Sequence, residues 1–447
     1  MVYSKVLVPS GVLGLGFDFK ALKLGISKKP DIISIDGGST DSGPASLGSG
    51  TSKYSRAAIK SEWKILMQAR SEANIPLIIG SCGTCGTNAM VDWMEEITHE
   101  LSKELGQSLK ITKLYCEQEK EFIKKKFKSN KIHPLDPAPE LNLKTIEEMS
   151  NIVALAGAEQ IQEAINTGAD IILAGRTTDT AIISALPLKK GVDPGSAWHG
   201  AKIVECGALC SSNPTSGVVM IEFDESGFTV EAMSENAFCS PESVSAHMLY
   251  ENADPFILYE PGGYMDVTNA RYKAIDKKKV RVEGATWHSQ KNYNVKLEGA
   301  KVSGYQTSLL VLLRESGYVK KVKEWTAKLS IFLEVEIHKR MNLAPEEYFI
   351  DFRHIGLDAV LGDLEKQVGV PKEVGVLCTV TSKKINVSTE IAKLINPFLL
   401  HFPLTDNEDL PTFAFPYSPV HSDRGYVYEF SLNHLLELED PMSAFKI

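Results

Sequence analysis

The sequence predicts an α/β protein that begins with a doubly wound, mostly parallel sheet and continues into a β-rich, mixed section. Three observations indicate this fold class. Short apolar runs alternate with amphipathic helical stretches over the first 200 residues, the pattern shortens and alternates beyond residue 202, and strand and helix patterns return from about residue 360. We therefore expect three sections, residues 1–200, 201–359 and 360–447.

Six strands are predicted in the first section. Gly, Pro or Ser bounds each run, and several are continuous in Ile, Leu and Val, which is typical of strands covered on both faces of a parallel sheet. Amphipathic stretches at 57–73 and 91–105 lie between them, at the spacing of βαβ units. The predicted strands are residues 5–9, 31–35, 76–80, 110–115, 152–155 and 170–174.

The later sections are predicted from alternation and from turn residues. Residues 217–223 and 228–231 alternate, and the Asp-Glu-Ser-Gly between them predicts a hairpin turn. A further strand at 280–283 precedes a long amphipathic helix at 319–341. In the last section we expect regular structure at residues 373–380, 387–400 and 426–438.

Composition limits the class of protein. The 447 residues are 43% hydrophobic and carry a net charge of −9 with acids and bases interspersed, which argues against a nucleic acid or an anionic membrane as the main partner. No apolar run approaches the roughly 18 residues of a membrane-spanning helix, and no signal segment is evident. Seven cysteines in so long a chain do not indicate a secreted disulfide framework. We expect a cytoplasmic protein and, on general frequency, a homo-oligomer.

Polar loops follow four of the predicted strands, at the edge where a parallel sheet binds its ligands. Residues 36–43 (DGGSTDSG) follow the second strand, 81–88 (SCGTCGTN) the third, 117–120 (EQEK) the fourth and 175–180 (GRTTDT) the sixth. The recurrence is a stronger signal than any one loop, and it places Asn88 among the candidate binding residues.

The loop after the second strand is the first candidate site. Residues 37–40 can present successive backbone N–H groups to an anion, because glycine adopts the conformations that this requires. Asp36 and Asp41 are candidates to hold a cation, to orient a hydroxyl or to act as general acid and base. The alternative is that Asp36 and Ser39 only cap a helix or close an Asx turn. The four loop residues are Gly37, Gly38, Ser39 and Thr40.

Arg176 and Asp179 form the second candidate pair. Arginine is a planar, permanently charged clamp for a carboxylate or phosphate, and we expect Asp179 to share the first turn of the next helix. An internal ion pair at the helix start is the alternative. Asp36 and Asp41 at the same sheet edge favour the functional interpretation.

Cysteines and histidines offer further candidates. Glu205 is a candidate buried acid and His247 a candidate general base. The histidines show no H-E-x-x-H pair, whereas a divalent metal on the aspartates stays open. Four thiols have C-x-x-C and C-x-x-x-C spacings, but their glycine-rich surroundings favour packing over zinc or an iron–sulfur cluster. These are Cys82, Cys85, Cys206 and Cys210.

Seven motifs follow one another along most of residues 5–313: DGGSTDSGP, IIGSCGTCG, CEQEKEFIKKK, AGRTTDTA, WHGAKIVECGA, HMLYENADPF and LYEPGG. As an ordered set they resemble the acyclic terpene utilisation AtuA-like family. The tail from GVLCTVTSKK to LLELEDP resembles the C-terminal AtuA-like domain, which implies a ferredoxin-like α+β fold there. Cys82 and Cys85 stand where the family is expected to carry small residues such as alanine, which argues against a thiol mechanism shared by the family.

The resemblance implies a role in the catabolism of branched or terpenoid acids, often beside acyl-CoA enzymes. We therefore expect an enzyme that acts on a small carboxylate or its CoA thioester as a lyase or hydratase, with paired carboxylates as acid and base. No P-loop, nucleophile elbow or full dinucleotide fingerprint is present. The alternative is a non-catalytic subunit that binds an acyl-CoA or assembles a catabolic complex. The expected catalytic residues are Asp36, Asp41, Asp179, Glu205 and His247, and the expected binding residues are Gly37, Gly38, Ser39, Thr40, Asn88 and Arg176.

Overall fold

A computed structural model describes residues 2–366 and 369–447. The chain divides into two compact units, one formed by Met1–Lys301 with Glu429–Ile447 and the other by Val302–Tyr428. The predicted fold class is confirmed, because a parallel sheet near the N-terminus is followed by antiparallel sheets in a mixed α/β chain. The section boundaries near residues 200 and 360 stay predictions.

The regular elements are numbered along the chain. The strands are β1 (Val2–Val8), β2 (Ile32–Asp36), β3 (Leu77–Gly80), β4 (Ile111–Leu114), β5 (Ile132–Pro134), β6 (Met149–Ala154), β7 (Ile171–Ala174), β8 (Val219–Asp224), β9 (Gly227–Ala232), β10 (Ile257–Glu260), β11 (Gly263–Asp266), β12 (Arg271–Ala274), β13 (Lys279–Glu283), β14 (Thr286–Ser289), β15 (Tyr293–Leu313), β16 (Tyr348–Ile355), β17 (Val374–Ser382) and β18 (His421–Leu438). The α-helices are α1 (Phe19–Ser27), α2 (Ala45–Ser49), α3 (Arg56–Ala73), α4 (Asn88–Leu105), α5 (Lys120–Lys128), α6 (Leu143–Glu148), α7 (Ala158–Asn166), α8 (Ala181–Lys189), α9 (Pro194–Val204), α10 (Pro241–Ala246), α11 (Ser316–Lys320), α12 (Val322–Met341) and α13 (Ile385–His401).

The main sheet of the first unit has nine strands in the order β12-β13-β9-β8-β1-β2-β3-β7-β4. Its strands β1, β2, β3, β7 and β4 are parallel, and β8, β9, β13 and β12 add antiparallel strands beside β1. Ile33 and Ile35 of β2 face one apolar core while Ile32 faces the other. Both faces are therefore covered, which is why the parallel strands are continuously apolar.

The helix α3 shows how local sequence fixes an element of this unit. It begins after Ser55, whose hydroxyl accepts the N–H of Ala58 at 3.1 Å, and it ends at Asn74 in the left-handed conformation. Its buried face includes Trp63, whose indole Nε1–H donates to Thr98 of α4 at 2.9 Å. Burial and a satisfied polar atom together hold α3 against α4.

Two predicted elements, a hairpin turn and a strand, can be compared with the observed ones. The hairpin at Asp-Glu-Ser-Gly is confirmed, because β8 and β9 pair antiparallel on either side of it. The apolar run at 152–155 is a strand, β6, but it pairs antiparallel with β15 and lies outside the main sheet. An apolar run indicates burial and extension, but it carries no information about the partner strand.

In the second unit, β16 and β17 pair antiparallel, and β17 pairs with residues 305–313 of β15. The helices α12 and α13 contribute Trp325, Leu333 and Ile391 to one apolar core with these strands. This antiparallel arrangement of strands and helices agrees with the α+β expectation for the tail. No helix in the described ranges is both long and apolar enough to cross a membrane.

Candidate active site

The polar loops after β2, β3 and β7 meet at the carboxyl edge of the parallel strands. The N–H of Gly37 donates to the carbonyl of Gly80, and the N–H of Ser81 donates to the carbonyl of Gly175, both at 2.8 Å. Gly86 has φ +64, and a Cβ there would lie 2.1 Å from the backbone nitrogen of Arg176. Only glycine therefore lets the loop after β3 pack this closely on the end of β7.

Arg176 links these loops to β15. Its side chain is 5% exposed and donates from Nε to Glu298 Oε2 at 3.1 Å, and from its terminal nitrogens to Ser81 Oγ at 3.0 Å and Thr40 Oγ1 at 3.4 Å. Burial lowers the pKa of the guanidinium, but Glu298 and Asp179 outweigh burial and raise it. Arg176 is thus a fixed, buried cation whose donors are largely engaged within the protein.

Asp36 lies at the end of β2 with one carboxyl oxygen unpartnered. Its Oδ2 accepts the N–H of Gly38 at 2.7 Å, whereas Oδ1 is buried and has no hydrogen-bond partner. Burial raises the pKa of Asp36 well above its ordinary value, the charge of Asp179 raises it further, and Arg176 opposes both. Asp36 therefore keeps its proton to higher pH than a free aspartic acid.

The charge of Asp41 acts on Asp179 in the same crevice. Burial raises the pKa of Asp179, Arg176 lowers it, and the charge of Asp41 raises it. Asp41 is exposed, and its Oδ2 accepts the Ser39 hydroxyl at 2.5 Å. The fold thus brings together the aspartates and the arginine that the sequence indicated.

A second polar cluster continues from Asp179. Lys202 Nζ donates to Glu205 Oε1 at 2.5 Å and to the carbonyl of Tyr250 at 2.9 Å. Burial raises the pKa of Glu205 to about 8 although Lys202 lowers it, and burial and Lys202 lower the pKa of His247 to about 3. Glu205 and His247 lie together, with Glu205 Oε1 4.0 Å from His247 Nε2.

Three charged groups of this site were missed in the sequence. Lys202 stands in the motif WHGAKIVECGA and Glu260 in the motif LYEPGG, but neither is among the site residues predicted from the sequence. Burial raises the pKa of Glu260 to about 7, and the Thr180 hydroxyl, which donates to its Oε1 at 2.5 Å, opposes the rise. Glu298 had no motif to mark it.

Other sequence candidates are placed elsewhere or are engaged within the protein. The N–H groups of Gly37 and Gly38 donate to Gly80 and Asp36, so both are already bonded, and anion binding by this loop stays a prediction. Asn88 lines a separate cavity of about 470 Å³, where its N–H donates to Glu117 Oε2 at 2.9 Å. The thiols are free; those buried are Cys82, Cys85 and Cys210, and Cys206 is half-buried.

A cavity of about 320 Å³ opens beside the Arg176–Glu298 pair. Lys296 lies in its lining, with Nζ 3.1 Å from Glu298 Oε1. Its volume is that of a small-molecule site, and its lining combines charged and apolar residues. The polar lining residues are Thr40, Asp41, Lys296, Glu298 and Asn433, and the apolar ones are Pro137, Pro139, Phe430 and Leu432.

The model of the acyclic terpene utilisation family protein AtuA matches residues 42–405 of the chain. The matched range includes Arg176, Asp179 and Glu298, and it begins directly after Asp41. No curated protein and no solved structure matches the chain.

Proposed function

The chain belongs to the acyclic terpene utilisation AtuA family, and from that premise we propose that the protein is an enzyme of branched or terpenoid carboxylic acid catabolism. It acts as a lyase or hydratase on a small carboxylate or on its CoA thioester. The observation that carries the proposal is the cavity lined by both charged and apolar residues, Asp41 among them.

The proposed binding mode uses the charged and the apolar lining residues of this cavity separately. The substrate carboxylate faces Lys296, whose side chain is 41% exposed, and the Thr40 hydroxyl. The branched hydrocarbon packs on Phe430 and the prolines, where each buried methylene contributes about 0.8 kcal/mol. Affinity should therefore rise by about fourfold for each methylene that the cavity accepts.

The proposed chemistry uses Asp41 and Asp179. In the elimination direction, the Asp41 carboxylate takes the proton next to the carboxyl group, and protonated Asp179 gives its proton to the departing hydroxyl. A C–H and a C–O bond break, a C=C bond forms and water leaves, and both carboxyls return to their first state by proton exchange with solvent. Asp179 suits the acid role because burial and Asp41 both raise its pKa.

The test is a thermal-shift and calorimetric series with branched acids of increasing length and with their CoA thioesters. Wild type and Lys301→Gln should show stabilisation that grows with chain length, whereas Lys296→Gln should lose it. Lys301 is the matched control, because it lies on the same strand but pairs with Glu148 and Glu429 outside the cavity.

Turnover is measured with the compounds that bind, by chromatographic separation of the hydroxy and the unsaturated forms. Asp41→Asn should keep binding and lose at least 100-fold in rate, of the order that a general acid–base group supplies. If no acid or thioester stabilises wild type, or if Lys296→Gln binds as wild type does, the proposal is wrong. Binding by wild type without any turnover would favour the non-catalytic acyl-binding subunit.

A further inference from the structure

Three different metal-ligating groups converge at a place that the proposed acid–base step does not use. One ligating atom each from Glu205, Cys206 and His247 lie within 4.8 Å of one another. Glu205 and Cys206 directly follow α9, and His247 directly follows α10, so two distant segments supply the donors. The three aspartates of the crevice form no such set among the described residues.

His247 is the independent indication of a ligand. The residue is 3% exposed, and its Nε2 is buried without a hydrogen-bond partner. Leaving a buried polar atom unsatisfied costs about 1–3 kcal/mol, so such atoms in native proteins call for an explanation. The ring is stacked on Tyr250 at 5.4 Å, with Nε2 4.0 Å from Glu205 Oε1.

We propose that Glu205, Cys206 and His247 bind a divalent transition metal ion of the zinc type. A mixed set of oxygen, sulfur and nitrogen donors suits zinc or cobalt, whereas magnesium and calcium take oxygen ligands. Three protein ligands with a fourth position open is the pattern of catalytic zinc sites. Cys206 is half-buried, so the cluster is not sealed from solvent on all sides.

Binding requires small movements and the release of one proton. Bonds of about 2.0–2.3 Å in a tetrahedral site separate the ligand atoms by about 3.5 Å, so atoms now within 4.8 Å of one another close by at most about 1.3 Å. The Cys206 thiol gives its proton to solvent as the sulfur–metal bond forms. Lys202 is a positioning residue, because its 2.5 Å hydrogen bond orients the Glu205 carboxylate.

Some charges around the cluster oppose the binding of a cation and others favour it. Lys202 opposes a cation, whereas the carboxyls of Asp179 and Glu260 are near enough to act on Glu205. Asp179 is thus within electrostatic range both of Glu205 and of Asp41, which lines the proposed substrate cavity. A role for the ion in polarising a substrate hydroxyl or carbonyl rests on the proposed function, but binding of the ion does not.

The test is a cobalt titration of the full-length protein after treatment with a chelator and its removal. Wild type should bind one equivalent of Co²⁺ and show a thiolate-to-cobalt charge-transfer band, which Zn²⁺ abolishes by displacement. Cys206→Ser should lose the band and bind more than about 100-fold more weakly, since loss of even a supporting residue costs 10–100-fold. Cys210→Ser, which removes a nearby buried thiol outside the cluster, should keep the band.

Absence of stoichiometric cobalt binding by wild type, or an unchanged band in Cys206→Ser, would overturn the proposal. Circular dichroism checks that each variant is folded. If Cys206→Ser does not fold, His247→Gln decides in the same titration, where weakened binding supports the site and unchanged binding refutes it. Because no substrate is present, this result is independent of the acid-binding series.

Discussion

Replacement of Glu298 by glutamine is expected to lower the free energy of unfolding by about 3 kcal/mol at pH 7. Burial raises the pKa of Glu298, but Arg176 and Lys296 outweigh burial and bring it from 4.5 to about 2. At about 1.4 kcal/mol for each pH unit, this fall corresponds to about 3 kcal/mol of stabilisation. An independent argument agrees, because breaking a buried ion pair and leaving Arg176 uncompensated costs about 3–5 kcal/mol.

The pH dependence has a definite sign. The pKa of Glu298 is lower in the folded state than in the unfolded state, so its stabilisation is present above its ordinary pKa of 4.5 and is lost as the pH falls towards about 2. Wild type and Glu298→Gln should therefore differ most at pH 7 and converge in acid. Arg176 stays charged throughout this range.

The assay is urea-induced unfolding of both proteins at pH values from 7 down to 3, with midpoints and slopes compared. Glu222→Gln is the matched control, because Glu222 forms a partly exposed ion pair with Lys5 at 2.8 Å, and such pairs contribute less than about 1 kcal/mol. A difference for Glu298→Gln below about 1 kcal/mol at pH 7, or one that does not shrink in acid, would refute the reasoning.

Three further changes test the surroundings. Asp36→Asn should raise the free energy of unfolding at pH 8 but not at pH 4. The folded-state pKa of Asp36 is raised, so the wild type loses stability as the pH rises above 3.8. An equal change in the free energy of urea-induced unfolding at both pH values would contradict this. Gly86→Ala should destabilise the protein by about 2 kcal/mol or more in thermal unfolding. Gly106→Ala, at the same φ of +64 but with open space around it, should destabilise it by about 1 kcal/mol. Similar losses of stability in the two variants would exclude the close loop contact at Gly86. Thr98→Val leaves the buried Trp63 Nε1–H without its acceptor, so urea unfolding should show a loss of about 1–3 kcal/mol, and an unchanged midpoint would show the bond to be unimportant.

Much of the fold is local information and could be predicted from the sequence. Continuous apolar runs bounded by Gly, Pro and Ser located the parallel strands, because a strand buried on both faces carries apolar residues at successive positions. The carboxyl ends of parallel strands lie at one edge, so the loops with Asp36, Asp41, Arg176 and Asp179 were expected to meet, and they do.

What the sequence did not indicate depends on contacts between distant segments. In β15, Val295 and Leu297 occupy alternate, apolar positions of the strand, a pattern that ordinarily leaves the residues between them, here Lys296 and Glu298, facing solvent. Glu298 is instead buried against Arg176, 122 residues away. Alternation shows which face of a strand is apolar, but it cannot show that the polar face meets a buried cation.

The 122-residue separation of Arg176 and Glu298 has a consequence for the order of assembly. The residues of the first loops are synthesised and can collapse long before β15 exists, yet the Arg176 charge has its carboxylate partner only after β15 has docked beside β6. Proteins rich in contacts of high sequence separation fold more slowly, because the chain between the partners must close before the contact forms. We therefore expect the crevice to be completed only after β15 has docked, and chains that end before β15 would lack the carboxylate partner of Arg176.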